Sequence, residues 1–372
     1  MMPINADLNS KDVLDVLYDS GKPLHEWGKA IDGMPLLSAR MGGQKQPAIF
    51  ITAGSHATET AGVHAALNML EKLETEHEAH ILPLRDPFGF AGVQYCLSFA
   101  AHRPVVVSSH QDVIEYLGAN ATMLWQHDAV RIFRLGRMGF VCNEHKAGLD
   151  SFWDMFVAVG DLAIRRPDIL YPLRGQSIML LNPCMDVEGA GENQRCWHGY
   201  LSADGEWLHL NRMLGRDDAA PEVAAVNAFM QTIRPGLTND LHEGNGSGFW
   251  LPLVKPKENP QRVFNMAKAF FDYVNLCGYP VTDFAEWLAT DRTPQTTVEP
   301  DWMKPEPRLP GLFWMDTLIK GEGHNLSTYA HLFGTAFGTE APMIAPLEMR
   351  VDAITNGTLA AIKVWEENDI VN

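Results

Sequence analysis

The sequence lacks the features of secreted, membrane-spanning and disulfide-rich proteins. Its 372 residues include only five cysteines, which are widely scattered and form no Cys-x-x-Cys pair. An odd and scattered set of cysteines indicates reduced thiols rather than a disulfide framework or a cysteine-bound metal. No apolar run is long enough to cross a membrane, and the N-terminus has no charged-then-apolar signal layout. We therefore expect a soluble, cytoplasmic protein.

Positive charge is scarce as well. The chain has 29 lysines and arginines against 46 acidic residues, which gives a net charge of −17. A chain of this charge repels nucleic acids and anionic membranes, so we expect neither as a partner, although local arginines can still bind an anionic substrate. The sequence also contains no P-loop and no Gly-x-Ser-x-Gly nucleophile elbow. None of these features sets an oligomeric state.

Strand-like and helix-like segments alternate along the chain, and the hydrophobic content of 46% suffices for a sizeable core. This alternation predicts a single-domain α/β fold over residues 1–372, in which a mixed β-sheet carries helices on both faces. The less regular stretch at about 95–175 predicts an inserted lid or subdomain. Residues 42–45 predict a hairpin connection, and the proline-rich residues 280–310 predict an irregular surface loop. Strands are predicted at 34–41, 48–53, 79–84, 177–181, 237–241 and 332–337, and helices at 12–18, 111–117, 151–164, 222–233, 260–276 and 346–367.

Residues 48–70 are the stretch around which the chain is organised. The apolar run 49–51 favours a buried strand, a Gly-Ser pair breaks it, and an alanine-rich segment continues with apolar residues at helical spacing. His56 and Glu59 fall on the turn and the helix start, where a spacing of three residues puts both side chains on one side. An imidazole and a carboxylate so placed can hold one zinc ion. The alternative is a helix N-terminus whose glutamate complements the helix dipole.

Two further polar residues follow predicted strands. The strand at 237–241 delivers His242, and the strand at 332–337 leads into Glu340. Open α/β sheets place their ligand sites at the carboxyl edge of the strands, so these residues are expected near the same site. As alternatives, His242 could be a hydrogen-bonded structural histidine, and Glu340 could cap the segment that follows.

Several landmarks then stand in a fixed order, and together they carry a resemblance to a known family. They are His56-x-x-Glu59, Asn211-Arg212, Asp240-Leu241-His242, and Glu340 after a strand. The stretch LNPCMDVEGAGENQRCWHG, followed by LHLNRMLG, adds an Asn-Pro turn, for which residues 86–89 are an alternative, and an arginine near a tryptophan. From about residue 45 to 365, the sequence resembles the M14 zinc carboxypeptidases, whose acylase relatives include succinylglutamate desuccinylase and aspartoacylase.

The resemblance implies a Zn2+ cofactor and a set of roles around it. His56, Glu59 and His242 would be the three zinc ligands, which leaves the fourth position open for water, whose pKa then falls to about 7. Glu340 would be the general base and acid, taking a proton from that water and delivering it to the leaving amine.

The resemblance also implies arginines that bind the substrate. Asn211 and Arg212 would form the clamp for a substrate carboxylate, since a guanidinium presents a planar fork to a carboxylate. Arg195 would polarise the scissile carbonyl. As alternatives, the Asn-Arg pair could be a surface turn, and Arg174 or Arg234 could take the place of Arg195.

The sequence departs from the family at one loop. The family's carboxypeptidases usually carry a tyrosine about two dozen residues before the catalytic glutamate, and residues 316–320 contain none. Tyr329 lies too close to Glu340 to substitute, and His324 could occupy the loop instead.

The expected function is therefore a zinc-dependent hydrolase that cleaves an amide bond adjacent to a carboxylate, carboxypeptidase-like, with a small peptide as substrate. A second hypothesis is an N-acyl amino acid deacylase of the succinylglutamate desuccinylase or aspartoacylase type. A third, of another class, is a non-catalytic ligand-binding protein on the same fold.

Overall fold

The structure is a computed structural model, which describes residues 4–5, 7–144, 149–181, 195–244, 246–290, 302–316 and 324–367. Its helices are α1 (Ser10–Asp19), α2 (Thr60–Lys72), α3 (Pro87–Phe90), α4 (Val93–Ala101), α5 (His110–Asn120), α6 (Leu149–Arg165), α7 (Pro167–Leu170), α8 (Pro221–Ile233), α9 (Pro260–Leu276), α10 (Phe284–Thr290), α11 (Leu326–Ala330) and α12 (Leu347–Glu367). Its strands are β1 (Leu24–Lys29), β2 (Pro35–Gly42), β3 (Lys45–Ala53), β4 (His77–Leu82), β5 (Thr122–His127), β6 (Val130–Leu135), β7 (Met138–Asn143), β8 (Gln176–Leu181), β9 (Trp197–Leu201), β10 (Trp207–His209), β11 (Leu237–Gly244), β12 (Leu251–Val254), β13 (Met303–Pro305), β14 (Leu312–Met315) and β15 (Thr335–Pro342). No helix in this part of the chain combines the length and hydropathy that crossing a membrane requires.

One six-stranded sheet positions the candidate metal ligands and Glu340, which the sequence predicted as site residues. Its strand order is β1-β2-β4-β3-β11-β15. Strands β4, β3, β11 and β15 are parallel neighbours, whereas β2 pairs antiparallel with both β1 and β4. The predicted mixed β-sheet is thus confirmed. Because four parallel strands lie side by side, their carboxyl ends share one edge.

Helices cover both faces of this sheet, as the sequence predicted. Ile49 and Ile51 of β3 pack into a hydrophobic cluster with residues of α2, α9 and α12. Phe50, which lies between them, packs into a different cluster with Phe229 of α8 and Leu326 of α11. Successive strand residues point to opposite faces, so a continuous apolar run is what a strand buried on both sides requires.

A second six-stranded sheet runs in the order β10-β9-β8-β7-β6-β5, and a three-stranded sheet contains β12, β14 and β13. The strands are therefore distributed over several sheets rather than one. Strands β5, β6 and β7 fall within residues 95–175, and β7 pairs in parallel with β8 beyond that stretch. That residues 95–175 act as an inserted lid or subdomain stays a prediction.

The hairpin predicted at residues 42–45 is wrong. Strands β2 and β3 follow one another in the chain, but β4 lies between them in the sheet. Gly42 and Gly43 permit this arrangement, because a Cβ on Gly43 would lie 2.2 Å from the carbonyl oxygen of Glu76 just before β4. The Gly43 amide donates instead to the carbonyls of Thr75 and His77. Residues 280–310 also differ from a plain loop, since they include α10 and β13.

A buried chain of three polar side chains connects the two larger sheets. His198 of β9 lies with Nδ1 3.0 Å from Asp86 Oδ1 and with Nε2 2.7 Å from the Ser177 hydroxyl of β8. Asp86 follows β4 and accepts a hydrogen bond from the Gly89 amide at the start of α3. The three residues match the order of a serine-hydrolase relay, but each is buried from solvent, so we interpret them as a structural bridge.

The charge of His198 gives this bridge a pH dependence. Burial lowers the pKa of His198, but the Asp86 carboxylate outweighs that effect and the pKa is raised above its ordinary value of 6.5. A histidine with a raised folded-state pKa contributes stability that is complete below the unfolded pKa and is lost as the pH rises through the folded pKa.

We expect His198→Gln to lower the free energy of unfolding by about 3–5 kcal/mol near pH 6, because Asp86 would stay buried without its cation. The difference from wild type should narrow as the pH rises from 6 towards 9, measured by urea denaturation. Ser177→Ala is the control, since it removes only a hydroxyl acceptor and should cost less at every pH. A difference for His198→Gln that stays constant from pH 6 to 9 would contradict a charged His198.

Candidate metal centre

Three of the residues predicted from the sequence meet at the carboxyl edge of the central sheet. His56 lies in the turn after β3, Glu59 is the N-cap residue of α2, and His242 lies near the end of β11. His56 Nδ1 is 2.5 Å from Glu59 Oε1, and His242 Nδ1 is 2.7 Å from Glu59 Oε2. One potential ligand atom from each residue lies within 4.8 Å of the others. The structure thus brings together a group that could hold a metal ion.

The group is sheltered but open on one side. The side chains of Glu59 and His242 are 7% and 8% exposed, while that of His56 is 17% exposed. His56 is therefore the member of the group that solvent reaches most easily. A catalytic metal site needs such an opening, because the substrate must reach the ion.

Contacts behind the group hold α2 against β11. The Glu243 carboxylate accepts a hydrogen bond of 2.6 Å from the Ala61 amide in the first turn of α2, and it also pairs with the buried Arg350. A carboxylate at a helix N-terminus is favourable because the free amides point at it. A Cβ on Gly62 would lie 2.7 Å from the Leu241 carbonyl oxygen, so glycine is needed for this close approach of helix and strand.

The protein groups alone strongly perturb one another's protonation. Burial raises the pKa of Glu59, but the two neighbouring imidazoles outweigh burial and lower it to about 2. Burial lowers the pKa of His242, yet the Asp240 and Glu59 carboxylates raise it well above its ordinary value. Glu59 is therefore an ionised carboxylate, and a metal ion bound here would have to displace a proton from His242.

Each histidine also has a partner on its outer nitrogen. His242 Nε2 lies 2.9 Å from Asp240 Oδ2, which is the carboxylate–histidine arrangement that orients metal-binding histidines. His56 Nε2 lies 3.2 Å from His209 Nδ1. Burial lowers the pKa of His209 well below its ordinary value, so a neutral His209 can accept a hydrogen bond from His56. Both Nδ1 atoms are left to face Glu59.

Sequence reasoning gave no role to Asp240, His209 or Arg85, all of which lie at this centre. Asp240 stands two residues before His242 on the same face of β11, and that spacing was a usable signal. Arg85 follows the end of β4, as the other site residues follow their strands. His209 closes β10 of the second sheet, and its approach to His56 could not be read from local sequence.

Glu340 lies on the strand next to His242. In the parallel pairing of β11 with β15, Glu340 is the direct neighbour of His242, so the two side chains project from the same face of the sheet. Glu340 is half-buried. A Cβ on Gly244 would lie only 2.8 Å from Glu340 Oε2, so the glycine leaves room for that carboxylate at the end of β11.

The predicted substrate clamp lies in a short 3₁₀ turn, Leu210–Arg212, directly after β10. The Asn211 side chain is buried, with Nδ2 3.2 Å from His242 Nε2 and with Oδ1 accepting the Leu326 amide. Arg212 is half-buried and donates to the Asn211 carbonyl through Nη1. The structure therefore places Asn211 on the outer side of His242, with Arg212 next to it in the chain, and their role as a substrate clamp stays a prediction.

Arg195 is placed differently. Its Nη2 donates to the Leu8 carbonyl at 2.8 Å, and its guanidinium lies 4.5 Å from the centre of the Phe90 ring. These described contacts hold the side chain against the N-terminal segment and α3, so they do not direct it to the metal centre. A role for Arg195 at the scissile carbonyl stays a prediction.

The described contacts of Tyr329 and His324, the two residues considered in place of the family's loop tyrosine, are not with the candidate metal ligands. Tyr329 lies in α11, is 5% exposed, and its hydroxyl oxygen is 2.5 Å from Gln231 Nε2. His324 is half-buried, with Nδ1 3.3 Å from the Thr328 hydroxyl. Of the loop at 316–320, only residue 316 lies within the described residues. The Asn-Pro turn at 182–183 lies entirely outside them.

Comparison with known proteins finds similarity in fold only. No protein-family model and no curated protein matches the sequence. A putative metallopeptidase from Shewanella amazonensis SB2B is 14% identical with a TM-score of 0.43, covering 96% of this chain and 90% of its own. A putative carboxypeptidase A from Shewanella denitrificans OS-217 is 14% identical with a TM-score of 0.48, covering 96% and 69%. The carboxypeptidase A from Helicoverpa armigera is 13% identical with a TM-score of 0.48, covering 98% and 74%.

We expect purified wild-type protein to contain about one zinc ion per chain and the variants His56→Ala and His242→Ala to contain almost none, because each variant removes one of the three candidate ligands. Mass spectrometry of the untagged proteins measures the metal content. His127→Ala is a matched control, since His127 is a largely exposed histidine on β5. Absence of metal from wild type after zinc is supplied would refute the site.

Proposed function

We propose that this chain is a zinc-dependent hydrolase that cleaves an amide bond adjacent to a carboxylate, with Glu340 as the general base. The observation that carries the proposal is the meeting of His56, Glu59 and His242 at the sheet edge where Glu340 is the neighbour of His242.

The donor set fits zinc. Two imidazoles and one carboxylate are a common zinc-binding set, and three protein ligands are typical of a catalytic rather than a structural site. Asp240 behind His242 supplies the outer-shell carboxylate that metal-binding histidines usually have. When bound, zinc supplies a Lewis acid and lowers the pKa of a coordinated water to about 7.

Glu340 is assigned the proton transfers. Its side chain lies on the same face of the sheet as His242 and is half-buried. It can therefore contact a water molecule at the centre without being fully exposed to bulk solvent. A carboxylate in this position takes the proton of the attacking water and then delivers it to the amine that leaves. The same group therefore serves both steps of hydrolysis.

Arg212 is assigned the substrate carboxylate. It lies one residue beyond Asn211, whose side chain contacts the outer nitrogen of His242. A half-buried guanidinium presents a planar fork that can hold a carboxylate through two parallel hydrogen bonds. Such a clamp would place the amide bond next to the carboxylate at the metal, which is why the proposed bond lies there.

The acyl side of the substrate remains to be identified by assay. Zinc-loaded wild-type protein should hydrolyse either short peptides with a free C-terminal carboxylate or N-acyl amino acids. Activity on dipeptides with free N-termini would identify a peptidase, and activity on N-acyl amino acids alone would identify the acylase. Binding of such compounds without turnover would favour the non-catalytic alternative.

We expect Glu340→Gln to retain its zinc and to lose turnover by about 10²–10⁴-fold, the usual contribution of a general base, because glutamine cannot accept a proton. Steady-state kinetics on the best substrate, together with metal content, measure the two effects separately. Turnover at the wild-type rate would show that Glu340 is not the base.

Gly244→Ala should act on the same carboxylate without changing it chemically. The added methyl group would meet Glu340 Oε2 at 2.8 Å and the Trp250 ring at 3.3 Å, so the carboxylate has to move away and the ring has to yield by a few tenths of an ångström. We expect kcat/KM to fall about 10–100-fold, since a displacement of about 1 Å at a reacting group costs about 10²-fold. Gly118→Ala is the control, because nothing lies within 4 Å of a Cβ at that position. Equal kcat/KM in both variants would argue against this placement of Glu340.

A further inference from the structure

Arg85 is a buried cation on the outer side of the candidate metal centre. It is 4% exposed, and its Nη2 lies 2.5 Å from Asp240 Oδ1. Nη2 also lies 3.5 Å from His242 Nε2, and Nη1 lies 3.5 Å from Asn211 Oδ1. One guanidinium thus reaches the outer nitrogen of His242 and the two side chains, Asp240 and Asn211, that lie against that nitrogen.

The two nitrogens of His242 distinguish this position from a substrate-binding one. Nδ1 faces Glu59 and Nε2 faces Asp240, so Arg85 has the imidazole ring between itself and the metal position. A group behind the ring cannot contact a carbonyl oxygen at the metal. Arg85 is therefore not a substitute for Arg195, and any effect on the centre has to pass through Asp240 and His242.

The two oxygens of Asp240 are divided between two partners. Oδ1 accepts from Arg85, and Oδ2 accepts from His242. A carboxylate held at both oxygens cannot rotate, so its second oxygen stays aimed at Nε2. With the Nε2 proton donated to Asp240, the lone pair of His242 is at Nδ1, where it faces the metal position.

The backbone holds Arg85 in place. Its amide donates to the Ala53 carbonyl at the end of β3, and the next amide, of Asp86, donates to the Gly54 carbonyl at 2.7 Å. The segment after β4 is thereby fixed to the turn that leads to His56. Glu243, the other buried carboxylate at the end of β11, has a separate partner in Arg350, so the two ion pairs do not compete.

We infer that Arg85 is a positioning residue for the metal centre, which orients Asp240 so that His242 presents Nδ1 to the metal. The inference rests on the proposed zinc site. It concerns metal binding rather than chemistry on the substrate, and the contacts that carry it belong to this chain's own residues.

The test is the zinc affinity of folded variants, measured by competition with a chromophoric chelator, beside the thermal midpoint of the metal-free proteins. We expect Arg85→Met to bind zinc about 10–100-fold more weakly, the usual effect of losing an outer-shell partner. Asp240→Asn should weaken binding similarly. Because both act through one contact, the double variant should bind no more weakly than Asp240→Asn alone. Arg131→Met is the control, since Arg131 pairs with Glu144 in the second sheet.

The outcomes separate this inference from the proposed function. If wild type binds no zinc, both are refuted. If wild type binds zinc and Arg85→Met binds it within twofold of wild type, only the role of Arg85 is refuted, and a lowered thermal midpoint would then mark it as purely structural. Should Arg85→Met not fold, Asp240→Asn carries the test, because Arg85 acts on His242 through Asp240. Zinc affinity within twofold of wild type in Asp240→Asn would overturn the inference.

Discussion

The carboxylate of Glu59 contacts both histidines of the candidate centre, and the rest of the site depends on that double contact. One oxygen lies against His56 and the other against His242. The first histidine comes from the turn after β3 and the second from β11, so the contact requires two neighbouring parallel strands that end together. It also requires α2 to begin at the right place, and Glu243 and Arg350 hold the first turn of that helix.

Strand β11 serves the site with both of its faces. Asp240 and His242 lie on one face, where they reach the metal centre, while Glu243 lies on the other and anchors α2. Side chains alternate along a strand, so a sequence of four residues, 240–243, can supply a candidate ligand, the carboxylate that contacts it and the anchor of the helix that begins after Glu59. A shift of one residue in the register of β11 would exchange these roles, and the parallel pairing with both β3 and β15 opposes such a shift.

Local sequence patterns predicted the elements and the candidate ligands, because both depend on short-range features. The helix α9 was predicted with the bounds that it has, and His56, Glu59 and His242 each follow a strand that the pattern indicated. Pairings between distant segments were not predictable in this way. Strand β4 enters between β2 and β3, and His209 reaches His56 from another sheet, so neither contact leaves a periodic signal in the sequence.

Arg85 and Arg195 show the same difference between what local sequence predicts and what contacts between distant segments decide. Arg85 was missed although it ends a strand, because its importance comes from Asp240, which is 155 residues away in the chain. Arg195 was selected for its place beside a tryptophan, and its described contacts lie with Leu8 and Phe90. A residue's position in a motif predicts where its backbone lies. The direction of a long side chain is decided by the partners that the fold brings near it.

The partners of the buried carboxylates connect folding of the protein to metal binding at the candidate site. A chain with a net charge of −17 buries Asp240 and Glu243 within four residues, and an isolated buried carboxylate costs several kcal/mol. Each of these two has an arginine that the protein itself supplies, so their burial does not depend on a metal ion. Glu59 differs, since its described partners are the two imidazoles. Of these three carboxylates, Glu59 is thus the one whose described partners include no arginine, and it lies between the histidines, where a divalent cation would complete the balance.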